Sequence, residues 1–560
     1  MAVFRKAIIF ITVILTAGLV FAASTSKIIK EAEKLIETGD LISAESLLDS
    51  ALIDSPEDYK LLRTMGKILH QKEEYSQALE YFEKAIQHKS KDHESLFGAG
   101  MVSLQLGESQ KALDYFEKGL KTKKNKDGFL YGKALALMKI GDLAEADAAI
   151  RKAISKDKKN ALYHKVLGHV NFNKQVWSIA IMEYEEALEL DSTNTDLYYK
   201  LARAQFFSIN FNEAVNYYRK YLKMAPADIT AWQELGIIYE KSNNPSEAIF
   251  CYNKLTELIP DDGDNWFALG DLQYKLRAHE DAGVSLEKAV ELGSHVAEAY
   301  KMLAKIYQLR KEYFKADSAY TRFEQELGAP DDPEYWFDKG KVMLKIGQKD
   351  ASFFQKAVQA FDKAIELDTA SATYWEHGGL ALYSKKDYAG AIPFFIKRIE
   401  LGGENVNSLR NLAFCFLKTE KYEQAAAYLE KAIALKPEDA VMRQMIGKIY
   451  VFLAKEADAI KHYNVALKDT TGALSAADKC KIRGDIGYCY VVMREPQKAI
   501  PQLEKAIKCD AKNVDYLYNL ASSYHLDNKL ELANEYYNSV LDINPSHKGA
   551  KEGALRTTTR

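Results

Sequence analysis

Two histidines, one acidic turn and five cysteines are the residues whose type and spacing could do chemistry. His164 and His169 would share one helix, but a separation of five does not bring both imidazoles to a single metal ion. They read as surface or groove residues. Asp261-Asp262-Gly263-Asp264 has the charge for calcium, yet it lacks the alternating ligands and closing glutamate of a calcium loop. It reads as a turn, with Asp264 near a helix start. Cys251, Cys415, Cys480, Cys489 and Cys509 are too few, and odd in number, for a disulfide scaffold. Cys480 and Cys509 would start one helix and end its antiparallel partner, and axes about 8 to 10 Å apart just bring Cα atoms into disulfide range. Whether they are joined stays open at this level. The chain has no phosphate-binding Gly-rich loop, no nucleophile elbow, no Cys-x-x-Cys and no His-Glu-x-x-His. An enzyme needs convergent carboxylates or a nucleophile and base in one cleft, and no such pair stands out. The expectation is a non-enzyme without cofactor or metal.

The elements that carry these residues account for nearly all of the 560 positions. A basic start at Arg5 and Lys6, the apolar run Ala7 to Phe21 and small residues at Ala22 and Ala23 match a secretory signal peptide spanning 1–23. The expected destination is outside the cytoplasm, in the periplasm or envelope of a bacterium, or secreted if the source is a eukaryote. The 76 basic and 79 acidic side chains are interspersed, so nothing steers the chain toward nucleic acid or an anionic membrane. The lysines around 121–126 and 156–159 read as solvated turn charges.

From there one alanine recurs fifteen times, from Ala44 and Ala78 through Ala499 to Ala533, and twelve of the fourteen intervals are 34 residues. Twelve residues before most of them lies a second small residue, for example Gly66, Gly100, Ala134, Gly168, Ala202, Gly236, Ala304, Gly447, Gly487 and Ala521, with Gly340 as its counterpart in the tenth repeat. Two helices need small residues where their backbones cross. Large residues four before, one before and three after the first column, such as Trp232, Leu235 and Tyr239 about Gly236, form the stripe of an amphipathic helix. Apolar residues four and seven after the alanine, such as Phe82 and Ala85 after Ala78, form another. Each unit is two helices and a turn, and prolines at 56, 226, 260, 437 and 545 fall just beyond the second helix.

This 34-residue unit resembles the tetratricopeptide repeat (TPR) family over residues 25–547, most closely from Trp232 to Pro260. The resemblance implies an all-α, right-handed superhelical solenoid whose first helices line a concave groove that holds proteins or peptides. Insertions near 328–333, 348–354 and 472–478 divide the array into 25–330, 331–473 and 474–547, with a tail, 548–560, that starts a capping helix and frays at Thr557.

Residues three before, one after and four after the small column should be polar if merely solvated, because they point away from the packing stripe. In repeats three to six they are Phe97, Met101, Leu104; Tyr131, Leu135, Met138; Lys165, His169, Phe172; and Tyr199, Arg203, Phe206. Aromatic, methionine and arginine side chains are enriched where proteins bind proteins, so this strip is the expected partner groove. Leu380, Tyr383, Phe414 and Leu417 repeat the pattern in repeats eleven and twelve. The function expected is an exported scaffold for a protein or extended peptide. Alternatives are a glycan-binding or cell-wall enzyme subunit, in which the rings stack on sugars, or a self-associating structural protein.

Overall fold

A computed structural model describes residues 25–122 and 124–558; the expected signal peptide lies outside the described residues. Every described element is a helix, and the helices come in consecutive pairs, such as Ile229–Lys241 with Pro245–Leu258. The chain divides into two compact units, residues 1–276 and 277–560. In each, a helix pair packs on the pair that follows, which makes an all-α solenoid. The block edges expected near 330 and 473 lie inside the second unit.

The two small-residue columns do what the sequence requires of them. Every alanine of the second column from Ala44 to Ala533 is fully buried. The first column receives the side chain four residues after that alanine. A Cβ on Gly66 would come within 2.9 Å of the Phe82 ring, one on Gly168 within 2.5 Å of Tyr184, and one on Gly447 within 2.6 Å of Tyr463. These distances are too short for any real Cβ, so glycine here makes room for a ring.

The turn between the two helices has its own device. Five residues before each alanine stands one residue in the left-handed region, a glycine at 39, 107 and 141 but Glu73, Gln175, Ile209, Arg277, Ala454 and others elsewhere. The tenth repeat differs, because its insertion puts Ser352 there at φ −60°. Between repeats, the indole N–H of Trp232, Trp266 and Trp336 each donates to a proline carbonyl six residues back, at 2.8 to 2.9 Å. Asp58, Asp92, Asp228, Asp262 and Asp439 accept from backbone N–H groups at the starts of first helices. Asp262 is thus the capping residue of the acidic turn, and Asp264 stands in the first turn of the helix it caps.

Three expectations need correction or completion. His164 is buried, its Nδ1 2.7 Å from Glu183 and its Nε2 3.1 Å from the Lys158 carbonyl, because the second helix supplies a carboxylate partner. Cys480 and Cys509 are joined, with Cα atoms 6.2 Å apart, while Cys251, Cys415 and Cys489 are free and buried. The tail is a helix, Lys548–Thr558, that buries Ala550, Gly553 and Thr557. Thr557 is therefore packed, and its hydroxyl lies 3.3 Å from the Asn534 side chain. The insertion before the fourteenth repeat is likewise organised. Asp469 accepts from Thr471 and from the Leu474 backbone, and these bonds hold its carboxyl down at about 2. Leu474 is buried under it. Among the described residues no helix is long and apolar enough to cross a membrane.

Candidate functional site

All eleven side chains of the expected strip are partly buried; none is fully buried and none fully exposed. Their rings face the neighbouring first helix as well as the groove. Phe97 meets Phe116 and Phe129 at 5.9 and 5.8 Å between centroids, and Tyr131 meets Tyr163 of the next repeat at 5.4 Å. Met101 and Leu104 pack on the core beside Phe97, as Leu135 and Met138 do beside Tyr131. Phe172, Tyr199 and Arg203 come together: the guanidinium lies 5.8 Å from both rings and from Phe207, while its Nε is 3.1 Å from Glu234. Phe206 joins this group through Phe207 at 5.3 Å. His169 lies against Tyr184, and burial, helped by Lys200 and Lys165, pushes its imidazole down to about 4. The strip is thus a seam between first helices that keeps one edge in the groove.

Polar side chains at the same positions make the same seam by ion pairing. Lys67 reaches Glu94 at 2.5 Å, Lys165 reaches Asp196 at 2.7 Å, and Lys301 and Lys305 lie 3.6 and 3.9 Å from Asp332 and Asp338.

A roomy concave feature lies elsewhere, within the second unit. First helices Val406–Lys418, Ala440–Phe452, Ala476–Val492 and Val514–Leu526 enclose a cavity of about 920 Å³, with His547 at one end. Its walls include Phe414 and Leu417, which the sequence pattern names, and Gln444, Lys448, Tyr488 and Tyr518, which stand at the same register positions. The pattern was therefore present, but mixed polar and apolar residues hid it. Phe452 and Tyr488 are 51% and 42% exposed there. Gly484 lets the Tyr516 ring lie within 2.3 Å of where a Cβ would stand. Beneath these side chains Tyr463 is fully buried, its hydroxyl closed off from solvent beside the Asp485 carboxylate. Burial drives that phenol's pKa up, with the Asp485 charge acting next. Asp485 is itself raised by burial, against the opposing pull of Tyr463, Lys448 and Lys481. The Cys480–Cys509 bridge ties the segments from which Lys481 and Asn513 enter the wall. Rings, amides and cations line this cavity together with Asp485, Asp515 and His547.

Stacked helix pairs that present a first-helix groove define an α-solenoid binding protein. Tetratricopeptide repeat profiles match residues 229–262 and 406–439, 63–127, 346–398 and 485–548, and 128–160 and 195–228. These matches span more than half of the chain. The chain belongs to the tetratricopeptide repeat family. It is 23% identical over 194 residues to anaphase-promoting complex subunit 3 of Schizosaccharomyces pombe, covering 34% of this chain and 28% of that one. It is 22% identical over 250 residues to stress-induced-phosphoprotein 1 of Caenorhabditis elegans, covering 39% of this chain and 74% of the relative. Among solved structures, it is similar to the C-terminal part of a TPR repeat-containing protein from Cytophaga hutchinsonii, with 20% identity, 41% and 94% coverage and a TM-score of 0.36.

Proposed function

We propose that this chain is an exported scaffold that holds an extended polypeptide along its first helices, with the cavity between Phe414 and His547 as the principal seat. The observation that carries the reading is that cavity: about 920 Å³, open, ring-lined and built from four successive first helices. Exposed rings bury much area for little lost entropy, which is why aromatic residues anchor protein interfaces. Relatives lend support, since anaphase-promoting complex subunit 3 is by name a part of a larger assembly. Export, to the periplasm or envelope of a bacterium, is supported by the basic and apolar leader and by the Cys480–Cys509 bridge, since such bonds persist in oxidising compartments.

The deciding experiment is purification of the tagged full chain from its host, with identification of co-eluting proteins, for the native chain and for a Phe414→Ala, Tyr488→Ala double variant. A specific protein retained by the native chain and lost from the variant is the expected result. No specific protein in either sample sinks the scaffold reading, and a glycan in its place would favour the rival in which the rings stack on sugars. N-terminal sequencing of the exported chain should begin at Ala23 or Ser24; an intact Met1 refutes cleavage.

A further inference from the structure

At two places a cation one residue after the small column pairs with an acid two residues before the next one. Arg203 meets Glu234 in this way at 3.1 Å, and Lys305 meets Asp338 at 3.9 Å. The register-equivalent pair in repeats thirteen and fourteen is Lys448 and Asp485. It is not formed. Asp485 turns to the buried side, where Tyr463 and it perturb one another, and the two lysines act on it only from beyond ion-pair distance. Lys448 is left exposed at the cavity wall without an ion pair, as are Lys418 and Lys481.

Those three ammonium groups share the wall with Phe414, Phe452, Tyr488 and Tyr518. The acids that face them are Asp485, withdrawn to the floor, and Asp515. Fixed positive charge therefore exceeds negative charge there, and it is interleaved with apolar rings. A ligand that neutralises the lysines must carry carboxylates, and one that covers the rings must carry apolar side chains between them.

We propose that the occupant of this cavity is a polypeptide segment in which acidic residues alternate with aromatic or aliphatic ones, its carboxylates on Lys418, Lys448 and Lys481 and its apolar side chains on Phe452 and Tyr488. This rests on the scaffold reading above and goes further by fixing the chemistry of the segment.

The test uses the full chain with its disulfide intact and fluorescent peptides that alternate Glu with Tyr or Lys with Tyr. The Glu/Tyr peptide should bind at least about tenfold more tightly than its Lys/Tyr counterpart, and weaken several-fold as salt rises from about 50 to about 200 mM. The Lys448→Glu, Lys481→Glu variant, whose changes are at exposed positions, should lose at least about tenfold in affinity for the Glu/Tyr peptide. The milder Lys448→Gln, Lys481→Gln pair should lose less. Equal affinity for the two peptides, no effect of charge reversal, or full displacement by an anionic polysaccharide that leaves the lysine variant unaffected would each overturn the proposal. The partner captured from the host separates this failure from that of the scaffold reading. If the charge-reversed chain retains a partner that the Phe414→Ala, Tyr488→Ala chain loses, the scaffold stands and the acidic segment does not.

Discussion

The hydroxyl of Tyr524 donates to Glu504 at 2.8 Å, tying the first helix of the last repeat to the second helix of the repeat before it. The same register pairs Tyr450 with Glu430, and Tyr307 with Glu287 at 2.6 Å. In the seventh repeat the carboxylate is replaced by Arg219, whose guanidinium lies 5.7 Å from the Tyr239 ring, so the buried Tyr239 hydroxyl faces a cation where the others find a carboxylate. Removing a hydroxyl should therefore have opposite consequences at the two sites. Tyr524→Phe should destabilise the last repeats by about 1 kcal/mol, the net worth of a hydrogen bond, whereas Tyr239→Phe should cost nothing or stabilise. Amide exchange in repeats fifteen and seven reads this directly; equal losses at both would show that the hydroxyls do not govern the seam.

Gly168 leaves no room for a side chain beside Tyr184. Gly168→Val should force the ring off its site and lower stability by about 1 to 3 kcal/mol, as overpacking does. Gly236→Ala is the contrast, since a Cβ there would sit at 3.5 Å from Cys251 and Tyr252, an ordinary contact. Denaturant melts in which both substitutions cost the same would refute the ring-reception account of the small column.

Ile209 holds φ at +66° while 73% exposed. A β-branched residue in the left-handed region is strained, and little packing is lost by removing one so exposed. Ile209→Gly should raise stability by about 1 kcal/mol, with Ile209→Asn intermediate. A lowered melting temperature for the glycine variant would show that the side chain is worth more than the strain.

His169 supplies a pH dependence. Its pKa, about 4 in the folded chain, lies below the ordinary value of 6.5, chiefly through burial, so the folded state favours the neutral ring. The sign follows from the depressed value: the contribution to stability is fully present above 6.5 and is lost as pH falls from there toward 4. Its size is about 3 kcal/mol at full extent. His169→Phe should remove that acid-sensitive step, and identical melting profiles for both chains between those limits would exclude His169 as its source.

The strip of repeats three to six admits a direct comparison of packing with binding. Tyr131→Ala, Phe172→Ala and Tyr199→Ala each remove a ring that contacts another ring. A seam residue should cost about 3 kcal/mol of stability and leave partner affinity unchanged, whereas a binding anchor should cost about 2 kcal/mol or more of affinity. Because the rings divide their surface between seam and groove, the expected outcome is a measurable loss of stability for all three. Unchanged melting would place them wholly in the groove.

The columns of small residues were legible because every repeat must solve one contact, Gly66 with Phe82 and Gly447 with Tyr463 alike, and repetition exposes it. The left-handed turn position was not, because helix docking imposes the conformation on whatever residue is there, including Glu73 and Ile209. The burial of His164 was hidden for a different reason, since its partner Glu183 is nineteen residues away on another helix. The cavity of repeats twelve to fifteen is harder still. Phe414 and Leu417 could be named from their register, but its charge depends on a pair, Lys448 and Asp485, that the register suggests and the packing does not form.

The tail helix Lys548–Thr558 covers Tyr537 and Tyr518, with Gly553 set against one ring and Gly549 against the other. A solenoid end that lacks such a cover is a template on which another copy can stack, because every repeat is shaped to receive the next. Here the tail helix occupies that receiving face of the last repeat, so a second copy would have to displace it in order to stack there.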